Sequence, residues 1–450
     1  MGDNTDLRQN KKAELEREIQ IKREERHRRR KRNQMLAYMA MFFFILLLIA
    51  GIVGTVIYIG RQEKIKNENN ASVEADIDNI IGTEESLAKP EPSEMMPEQT
   101  PEEKLDEIIN AAIEVMPIED KVAGLFMVTP EAITGVGTAV QAGDGTKEAL
   151  NRWAVGGLVY FEKNIESAEQ ITEMVSNSSL YSRYPLFIGV DEEGGSVSRV
   201  AEAGLAENVG SAQTIGATAD PAQAYAAGVN VAGYLKTLGF NLDFAPVADI
   251  DNTEDGIMGD RAYGSDSSVV ASMAVSMVQG LQENGVSACL KHFPGIGSST
   301  NDTHTGLAVT ERSAEQFRAE EFTVFKAGID AGVDFVMVSH ISVPAFTGDN
   351  TPCTLSETVV TDILREELGF DGVIITDAMN MGAITEYYEA DEAAIKALKA
   401  GCDMILMPDD FEKAYNGVLE AVQNGTISEE RINDSLRRIY RIKYADKLGE

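Results

Sequence analysis

The sequence predicts an α/β protein that folds as a (β/α)8 TIM-type barrel and is preceded by a single transmembrane helix. Eight short apolar runs alternate with longer amphipathic segments in residues 102–450. Such alternation is typical of parallel strands joined by helices that cover the sheet. Eight units in a segment of this length suit a barrel with extended loops. A separate uncharged stretch, residues 35–60, predicts the membrane helix.

Residues 1–34 form a basic tail, with 12 lysines and arginines against 7 acidic residues. Residues 35–60 follow as MLAYMAMFFFILLLIAGIVGTVIYIG. About 20 apolar residues cross a bilayer, whereas the apolar core of a cleavable signal peptide has about 7–15. The cluster RHRRRKR (Arg26–Arg32) lies just before this stretch, and positive charge stays on the cytoplasmic side. We therefore expect a single-pass anchor in the cell membrane, with the amino terminus in the cytoplasm and the remaining chain outside.

Residues 61–101 have the composition of a stalk rather than of a folded domain. They are polar and acidic, and their prolines cluster between Pro90 and Pro101. A segment with so few apolar residues cannot bury enough surface to fold, and its prolines keep it extended. We therefore expect one catalytic domain, residues 102–450, after the stalk.

The charge balance excludes nucleic acid as a partner. The chain has 73 acidic and 39 basic residues, a formal net charge of −34, and the basic excess is confined to the tail. Such an acidic body would repel phosphates, and no glycine-rich nucleotide motif follows the first apolar run. Three cysteines, Cys289, Cys353 and Cys402, form neither a disulfide framework nor a zinc pattern. Cys289 and Cys402 fall inside apolar runs, so we expect them to be buried.

The eight apolar runs are KVAGLFMV (121–128), GGLVYF (156–161), PLFIGV (185–190), NLDFAPV (241–247), SACLKHF (287–293), DFVMVSH (334–340), DGVIITD (371–377) and CDMILMP (402–408). Residues 220–239 and 356–369 have helical patterns between these runs, and residues 428–448 predict a last helix that packs back on the barrel. A doubly wound open sheet is the alternative fold, because it shows the same alternation.

Reactive side chains follow several of the predicted strands. In a barrel of this class the reactive groups gather at the carboxyl ends of the strands. Those ends hold Asp191, Lys291, His292, His340 and Asp377, and His304 lies in the loop after the fifth run. Every histidine beyond the tail therefore lies at one end of the predicted barrel, which indicates a single site.

Residues of these types occur in three kinds of site. A metal site has little support, because the chain lacks the usual zinc spacings of histidine. Lys291 could form a Schiff base, as in barrel aldolases. A glycosidase needs a carboxylate nucleophile, a general acid/base and charged groups that bind hydroxyls. Residues of all three types lie at the expected strand ends.

Several motifs resemble glycoside hydrolase family 3, in particular its β-N-acetylglucosaminidase branch. They are DEEGGSVSR (191–199), NLDFAPVADI (241–250), GDRAYGSD (259–266), KHFPGIGSSTNDTH (291–304) and IITDAMNMGAI (374–384). The resemblance covers roughly residues 105–448, the whole predicted barrel. Two departures stand out: Ile296 replaces a common histidine, and Ser196 a frequent arginine. Neither departure removes a catalytic group.

The resemblance assigns a role to most of the candidate residues. It implies that Asp377 is the nucleophile and that Asp302 and His304 form the general acid/base dyad. An imidazole can give and accept a proton near neutral pH, and a neighbouring carboxylate orients the ring. The substrate-binding residues that the resemblance implies are Asp191, Arg199, Arg261, Lys291 and His292. His340 is a further candidate for substrate contact, with a buried structural histidine as the alternative.

We therefore expect a membrane-anchored, exo-acting, retaining β-N-acetylglucosaminidase with its catalytic domain outside the cell. Its expected substrates are glycans with terminal β-linked N-acetylglucosamine, such as peptidoglycan fragments. Neither a metal nor an organic cofactor is implied. The alternatives are a β-glucosidase, a xylosidase or a glycoside phosphorylase of the same family. A catalytically silent barrel that binds cell-wall glycans is the alternative outside enzymes.

Overall fold

The computed structural model describes residues 100–251, 257–299 and 306–445. The predicted tail (1–34), anchor (35–60) and nearly all of the stalk (61–101) lie outside these ranges. Within the described ranges, no helix is long and apolar enough to cross a membrane.

Ten strands, numbered in chain order, organise the described chain. They are β1 (Phe126–Val128), β2 (Gly157–Val159), β3 (Phe187–Val190), β4 (Glu192–Gly194), β5 (Val197–Ser198), β6 (Leu242–Asp243), β7 (Ser287–Phe293), β8 (Phe335–Val338), β9 (Val373–Thr376) and β10 (Ile405–Leu406). Eight of them form one parallel sheet in the order β10-β1-β2-β3-β6-β7-β8-β9, while β4 and β5 pair as a small antiparallel hairpin. Each of the eight predicted apolar runs supplies one strand of the parallel sheet.

The parallel sheet closes on itself. β1 pairs with β10 through Phe126 and Ile405. On the other side of β10, Met404 forms a parallel bridge with Ile375 of β9, and the N–H of Thr376 donates to the Met404 carbonyl at 3.1 Å. The predicted barrel is therefore confirmed, and the open doubly wound sheet is excluded.

Helices surround the barrel. The α-helices are Pro101–Glu114, Ile118–Ala123, Pro130–Thr134, Asp144–Arg152, Ala168–Tyr181, Arg199–Glu202, Ala212–Gly216, Pro221–Leu238, Ser267–Gln282, Ala314–Ala319, Glu321–Asp330, Pro344–Thr347, Gly382–Thr385, Ala390–Ala400, Phe411–Gln423 and Glu429–Lys443. Thr358–Glu367 is wound as a π-helix, and three single 3-10 turns are Glu162–Asn164, Gly259–Arg261 and Cys353–Leu355.

The Pro221–Leu238 helix shows why the predicted helices begin and end where they do. The Asp220 carboxylate accepts the N–H of Ala222, a proline takes the first helical position, and Gly239 ends the helix with φ at +94°. An acidic N-cap satisfies a free amide, and only glycine adopts a left-handed φ without strain. The prediction of a helix over 220–239 is confirmed.

The barrel interior is apolar and closely packed. Phe187 of β3 and Phe335 of β8 meet edge to face with ring centroids 4.9 Å apart, an arrangement that aromatic pairs favour. Cys289, Cys353 and Cys402 are buried free thiols, so the burial predicted for Cys289 and Cys402 is confirmed.

The last helix, Glu429–Lys443, crosses the amino-terminal end of the barrel. Lys443 Nζ donates to the carbonyls of Gly156 at 2.8 Å and Pro185 at 2.6 Å, and these residues directly precede β2 and β3. The first helix packs on the last one, with Arg441 Nε 2.6 Å from Asp106 Oδ1. The predicted packing of the last helix against the barrel is confirmed.

A buried ion cluster joins the last helix to the same end of the barrel. Asp403, which precedes β10, is fully buried. Its carboxylate lies 2.7 Å from Arg365, 3.1 Å from Arg438 and 3.7 Å from Arg431, and it also accepts the hydroxyl of Ser435. Three guanidinium groups from two helices, Thr358–Glu367 and Glu429–Lys443, therefore converge on one carboxylate.

Candidate active site

A cavity of about 410 Å³ opens at the carboxyl end of the barrel. The ends of several barrel strands and the β4–β5 hairpin line it. Six of the predicted site residues surround it: Asp191, Arg199, Arg261, Lys291, His292 and Asp377. Residues that lie up to 186 positions apart in the chain are thus brought to one place, because the carboxyl ends of parallel strands share one end of the barrel.

Lys291 of β7 is the centre of a buried ion network. Its Nζ donates to Asp191 Oδ1 at 2.8 Å and lies 2.6 Å from Glu193 Oε1, while only 2% of its side chain is exposed. Burial acts to lower the pKa of Lys291, but the carboxylates of Asp191 and Glu193 outweigh it and raise this pKa above the ordinary value. A protonated amine is not a nucleophile, so the geometry argues against a Schiff-base role.

Glu193 is a site residue that the sequence analysis missed. Arg261 donates to both of its carboxylate oxygens, Nε and Nη2 each at 2.8 Å. Burial opposes ionisation, but Lys291 and Arg261 together lower the pKa of Glu193 to about 2. Such bidentate pairs fix orientation as well as charge. The signal was present, since the acid stands two positions after Asp191 in the motif DEEGG.

The hairpin that holds Glu193 is fixed by its neighbour Glu192. The Glu192 carboxylate accepts the Val200 N–H at 2.7 Å and the Tyr234 hydroxyl at 2.8 Å. Gly194 and Gly195 then turn the chain with φ values of +89° and +62°, which side chains disfavour. A Cβ on Gly194 would also lie only 2.4 Å from the Gly210 carbonyl oxygen. The two adjacent carboxylates thus have separate roles: Glu192 fixes the hairpin, and Glu193 lies at the cavity.

Asp377 directly follows β9 and lines the cavity. Its own N–H donates to the Val338 carbonyl at 2.9 Å, and its Oδ1 accepts the Ala378 N–H at 2.7 Å. Burial acts to raise the pKa of Asp377, but the neighbouring His292 and His340 rings, with the Ala378 N–H, outweigh it and keep this pKa below the usual range. Asp377 is therefore ionised at neutral pH, as a carboxylate nucleophile must be.

His340 lies beside the backbone that follows Asp377 and is fully buried. Its Nε2 donates to the Ala378 carbonyl at 3.0 Å, and its Nδ1 lies 3.0 Å from Thr354 Oγ1. Since both ring nitrogens contact protein, His340 is well placed to support the backbone next to Asp377. These contacts favour the structural alternative for His340, and its contact with substrate stays a prediction.

His292 lines the cavity with its ring anchored from behind. Its Nδ1 is 2.7 Å from Asp249 Oδ2, and Asp249 is fully buried. Asp249 was also missed from the sequence, although it closes the quoted motif NLDFAPVADI one residue before its end. Its partner lies 43 positions away, so no local pattern identifies the contact.

Asp302 and His304, the predicted acid/base dyad, lie outside the described residues, so this assignment stays a prediction. On the described part of the loop, Ile296 is buried and lines the cavity. Ser196 donates its hydroxyl to Asp260 Oδ1 at 2.6 Å. Of the two departures from the family pattern, Ile296 thus contributes an apolar side chain to the cavity wall, and Ser196 forms a hydrogen bond within the loops.

A closed barrel with an ionised carboxylate among charged hydrogen-bonding groups at its carboxyl end has the design of a glycoside hydrolase. Residues 117–442 match the domain described as Glycosyl hydrolase family 3 N terminal domain. The chain belongs to glycoside hydrolase family 3, and the predicted family is confirmed.

Individual relatives agree with this membership. A β-hexosaminidase of Idiomarina loihiensis is 36% identical over 305 residues, which cover 67% of this chain and 90% of that protein. A solved family 3 β-N-acetylglucosaminidase of Paenibacillus sp. superposes with a TM-score of 0.70 and 33% identity, over 75% of this chain and 64% of that one. A solved β-N-acetylhexosaminidase of Beutenbergia cavernae gives 0.63 and 29%, over 73% and 98%. The chain therefore spans somewhat less than two thirds of the Paenibacillus enzyme.

Proposed function

We propose that this protein is an exo-acting, retaining β-N-acetylglucosaminidase that removes terminal β-linked N-acetylglucosamine. The observation that supports this most is the ionised Asp377 in a cavity of about 410 Å³, within the usual range of about 300–1,000 Å³ for small-molecule sites. The relatives named β-hexosaminidase and β-N-acetylglucosaminidase support the choice of sugar.

The charged groups of the cavity suit the hydroxyls of a sugar. A hydroxyl donates one hydrogen bond and accepts others. Asp191 can accept one, while Lys291 can donate, and their ion pair at 2.8 Å holds both in place. Arg199 has 27% of its side chain exposed and lines the cavity, so its guanidinium can donate as well. A preorganised set of this kind binds one sugar ring without rearrangement.

The proposed reaction has two steps. In the first, Asp377 attacks the anomeric carbon, and the glycosidic bond breaks as His304 gives its proton to the leaving oxygen. In the second, the neutral His304 takes a proton from water, which displaces Asp377 and regenerates the free enzyme. Two inversions at one carbon retain the β configuration. The part assigned to His304 and Asp302 rests on the sequence motif alone.

The proposed location is the outer face of the cell membrane, with peptidoglycan fragments as substrate. The uncharged residues 35–60 behind a basic cluster support the anchor. Membrane and soluble fractions of cells producing the full chain test it, against a variant that lacks residues 35–60. Recovery of the full chain in the soluble fraction would rule the anchor out.

The activity is tested by release of 4-nitrophenol from its N-acetyl-β-glucosaminide. Asp377→Ala and His304→Ala are each expected to lose nearly all turnover. Asp371→Ala is the matched control, because this exposed aspartate lies just before β9, at the opposite end of the strand that Asp377 follows. The anomer first released, followed by proton NMR, should be β.

The β-glucoside and the β-xyloside serve as competing substrates in the same assay. A preference for either would replace the proposed sugar by that of a β-glucosidase or xylosidase. A sugar phosphate as the main product in phosphate buffer would indicate a phosphorylase. If the N-acetyl-β-glucosaminide, the β-glucoside and the β-xyloside all stay intact while a cell-wall glycan still binds, the protein is a catalytically silent glycan-binding barrel.

A further inference from the structure

The Asp249 carboxylate contacts two parts of the proposed site at once. Its Oδ2 accepts the backbone N–H of His292 at 3.1 Å and lies 2.7 Å from the Nδ1 of the same residue. Its Oδ1 accepts the N–H of Ile296 at 2.7 Å. Asp249 is fully buried, so three N–H groups replace the water that the carboxylate gave up on folding.

This geometry determines which nitrogen of the His292 ring carries a proton. An ionised carboxylate only accepts hydrogen bonds, so the short contact requires a proton on Nδ1. Nδ1 faces Asp249, and the ring lines the cavity. The other nitrogen, Nε2, is therefore the one available to a sugar hydroxyl. A hydrogen-bond partner such as Asp249 on one ring nitrogen sets both the tautomer and the orientation of the ring.

The contact to Ile296 ties the same carboxylate to the loop that leaves β7. Ile296 is buried and forms part of the cavity wall. Asp249 thus sets the distance between the His292 ring and this wall. Loss of the carboxylate would release both at the same time.

We propose that Asp249 is a positioning residue, which holds His292 with Nδ1–H turned inward and Nε2 presented to the substrate. Asp249 itself is fully buried and is not among the residues that line the cavity. Its effect on turnover rests on the proposed glycosidase function, whereas its effect on the ring does not.

The first test measures the ring in the full-length protein by 15N NMR, with no change at Asp249. The chain has four histidines, and His292→Gln identifies the signals of interest. A proton on Nδ1 of His292 is expected across the pH range in which the protein is folded. An Nδ1 without a proton would overturn the proposal, even if the enzyme is active.

The second test asks whether Asp249 acts through His292. Asp249→Ala should lower kcat/KM about 10–100-fold, the loss that is usual when a metal-binding histidine loses its carboxylate partner, since the carboxylate orients the ring in the same way. In the His292→Ala background the same change should cost no more than about threefold, because residues that act as a unit are non-additive. Equal losses in both backgrounds would overturn the proposal.

Asp403→Ala is the matched control, since Asp403 is equally buried but lies at the other end of the barrel. It should leave kcat/KM of the folded protein unchanged. If Asp249→Ala does not fold, Asp249→Asn takes its place, because an amide has one acceptor oxygen and cannot satisfy all three N–H groups. A wild-type chain without activity would disprove the proposed function, while the NMR result would still decide the proposal on Asp249.

Discussion

The two ends of the barrel both bury charges, but they use them differently. At the amino-terminal end, Asp403 meets three guanidinium groups beneath the last helix. At the carboxyl end, Lys291 is shared between Asp191 and Glu193 beside an open cavity. Burial of charge costs free energy at either end. The difference is that Asp191 and its neighbours keep hydrogen-bonding capacity on the cavity side, whereas Asp403 is enclosed.

The largest expected effect lies at the closed end. Asp403→Ala would leave Arg365, Arg431 and Arg438 facing one another without their common carboxylate. Breaking a buried ion pair from one side costs about 3–5 kcal/mol. The free energy of unfolding, measured in urea, should fall by about this amount, with kcat/KM of the folded fraction unchanged. If Asp403→Ala kept normal stability but lost activity, the charges at the amino-terminal end would not be purely structural, and the contrast between the two ends of the barrel would fail.

At the open end, Glu193→Gln should alter the acid stability of the protein. The pKa of Glu193 is lowered to about 2 in the folded chain. The unfolded chain therefore takes up the proton first, so this stabilisation is present above about pH 4.5 and is lost as pH falls towards 2. Between pH 5 and pH 2 the wild type should lose roughly 3 kcal/mol more than the variant. Parallel curves of unfolding free energy against pH would contradict the prediction.

A smaller effect of opposite sign is expected from Glu321, which lies behind the loop that follows β7. Burial raises its pKa to about 7, although Arg312 at 3.2 Å opposes the shift; Glu320 and Asp249 also face it and favour the neutral form. The folded chain here binds the proton more tightly than the unfolded one. The stabilisation that Glu321 contributes through its raised pKa is thus fully present below about pH 4.5 and is lost as pH rises through 7.

Glu321→Gln tests this sign. From pH 5 to pH 7 the unfolding free energy of the wild type should fall by roughly 2 kcal/mol relative to the variant. Glu320→Gln is the control, because Glu320 is the adjacent acid on the same arginine. The same difference in both variants would show that the effect comes from Arg312 and not from Glu321.

The smallest effect concerns the first helix. Thr100 caps it: its Oγ1 accepts the Glu103 N–H at 3.2 Å, and the Glu103 side chain accepts the Thr100 N–H at 2.8 Å. Thr100→Ala should cost about 1 kcal/mol, seen as faster amide exchange in Pro101–Glu114. Hydrolysis should not change, and Thr100→Ser should behave as the wild type. A loss of turnover would link this helix to the cavity.

Much of the fold could be predicted because its information is local. Each barrel strand lies in an apolar run, and polar residues such as Asp191 and Asp377 stand directly after a strand. Once the strands are placed, these side chains must meet at one end of the barrel. The β4–β5 hairpin was not predicted, because a motif with two left-handed glycines has no apolar alternation.

The pairings within the site could not be read from the sequence. Glu193 follows Glu192, and nothing local shows which of the two faces the cavity. Asp249 follows β6 and His292 lies in β7. The two residues meet only because these strands are neighbours in the sheet and end side by side. The three arginines that meet at Asp403 come from two different helices. Such contacts depend on the closure of the barrel and not on spacing along the chain.

The position of the first helix has a practical consequence. Pro101, Tyr184 and Tyr444 line one apolar pocket, and Tyr184 lies just before β3, at the barrel end away from the catalytic cavity. The two termini of the described chain therefore leave from the same side. A solid support, an affinity tag or a fusion partner attached there would not obstruct the mouth of the cavity. The barrel can thus be coupled to other modules without redesign of its catalytic face.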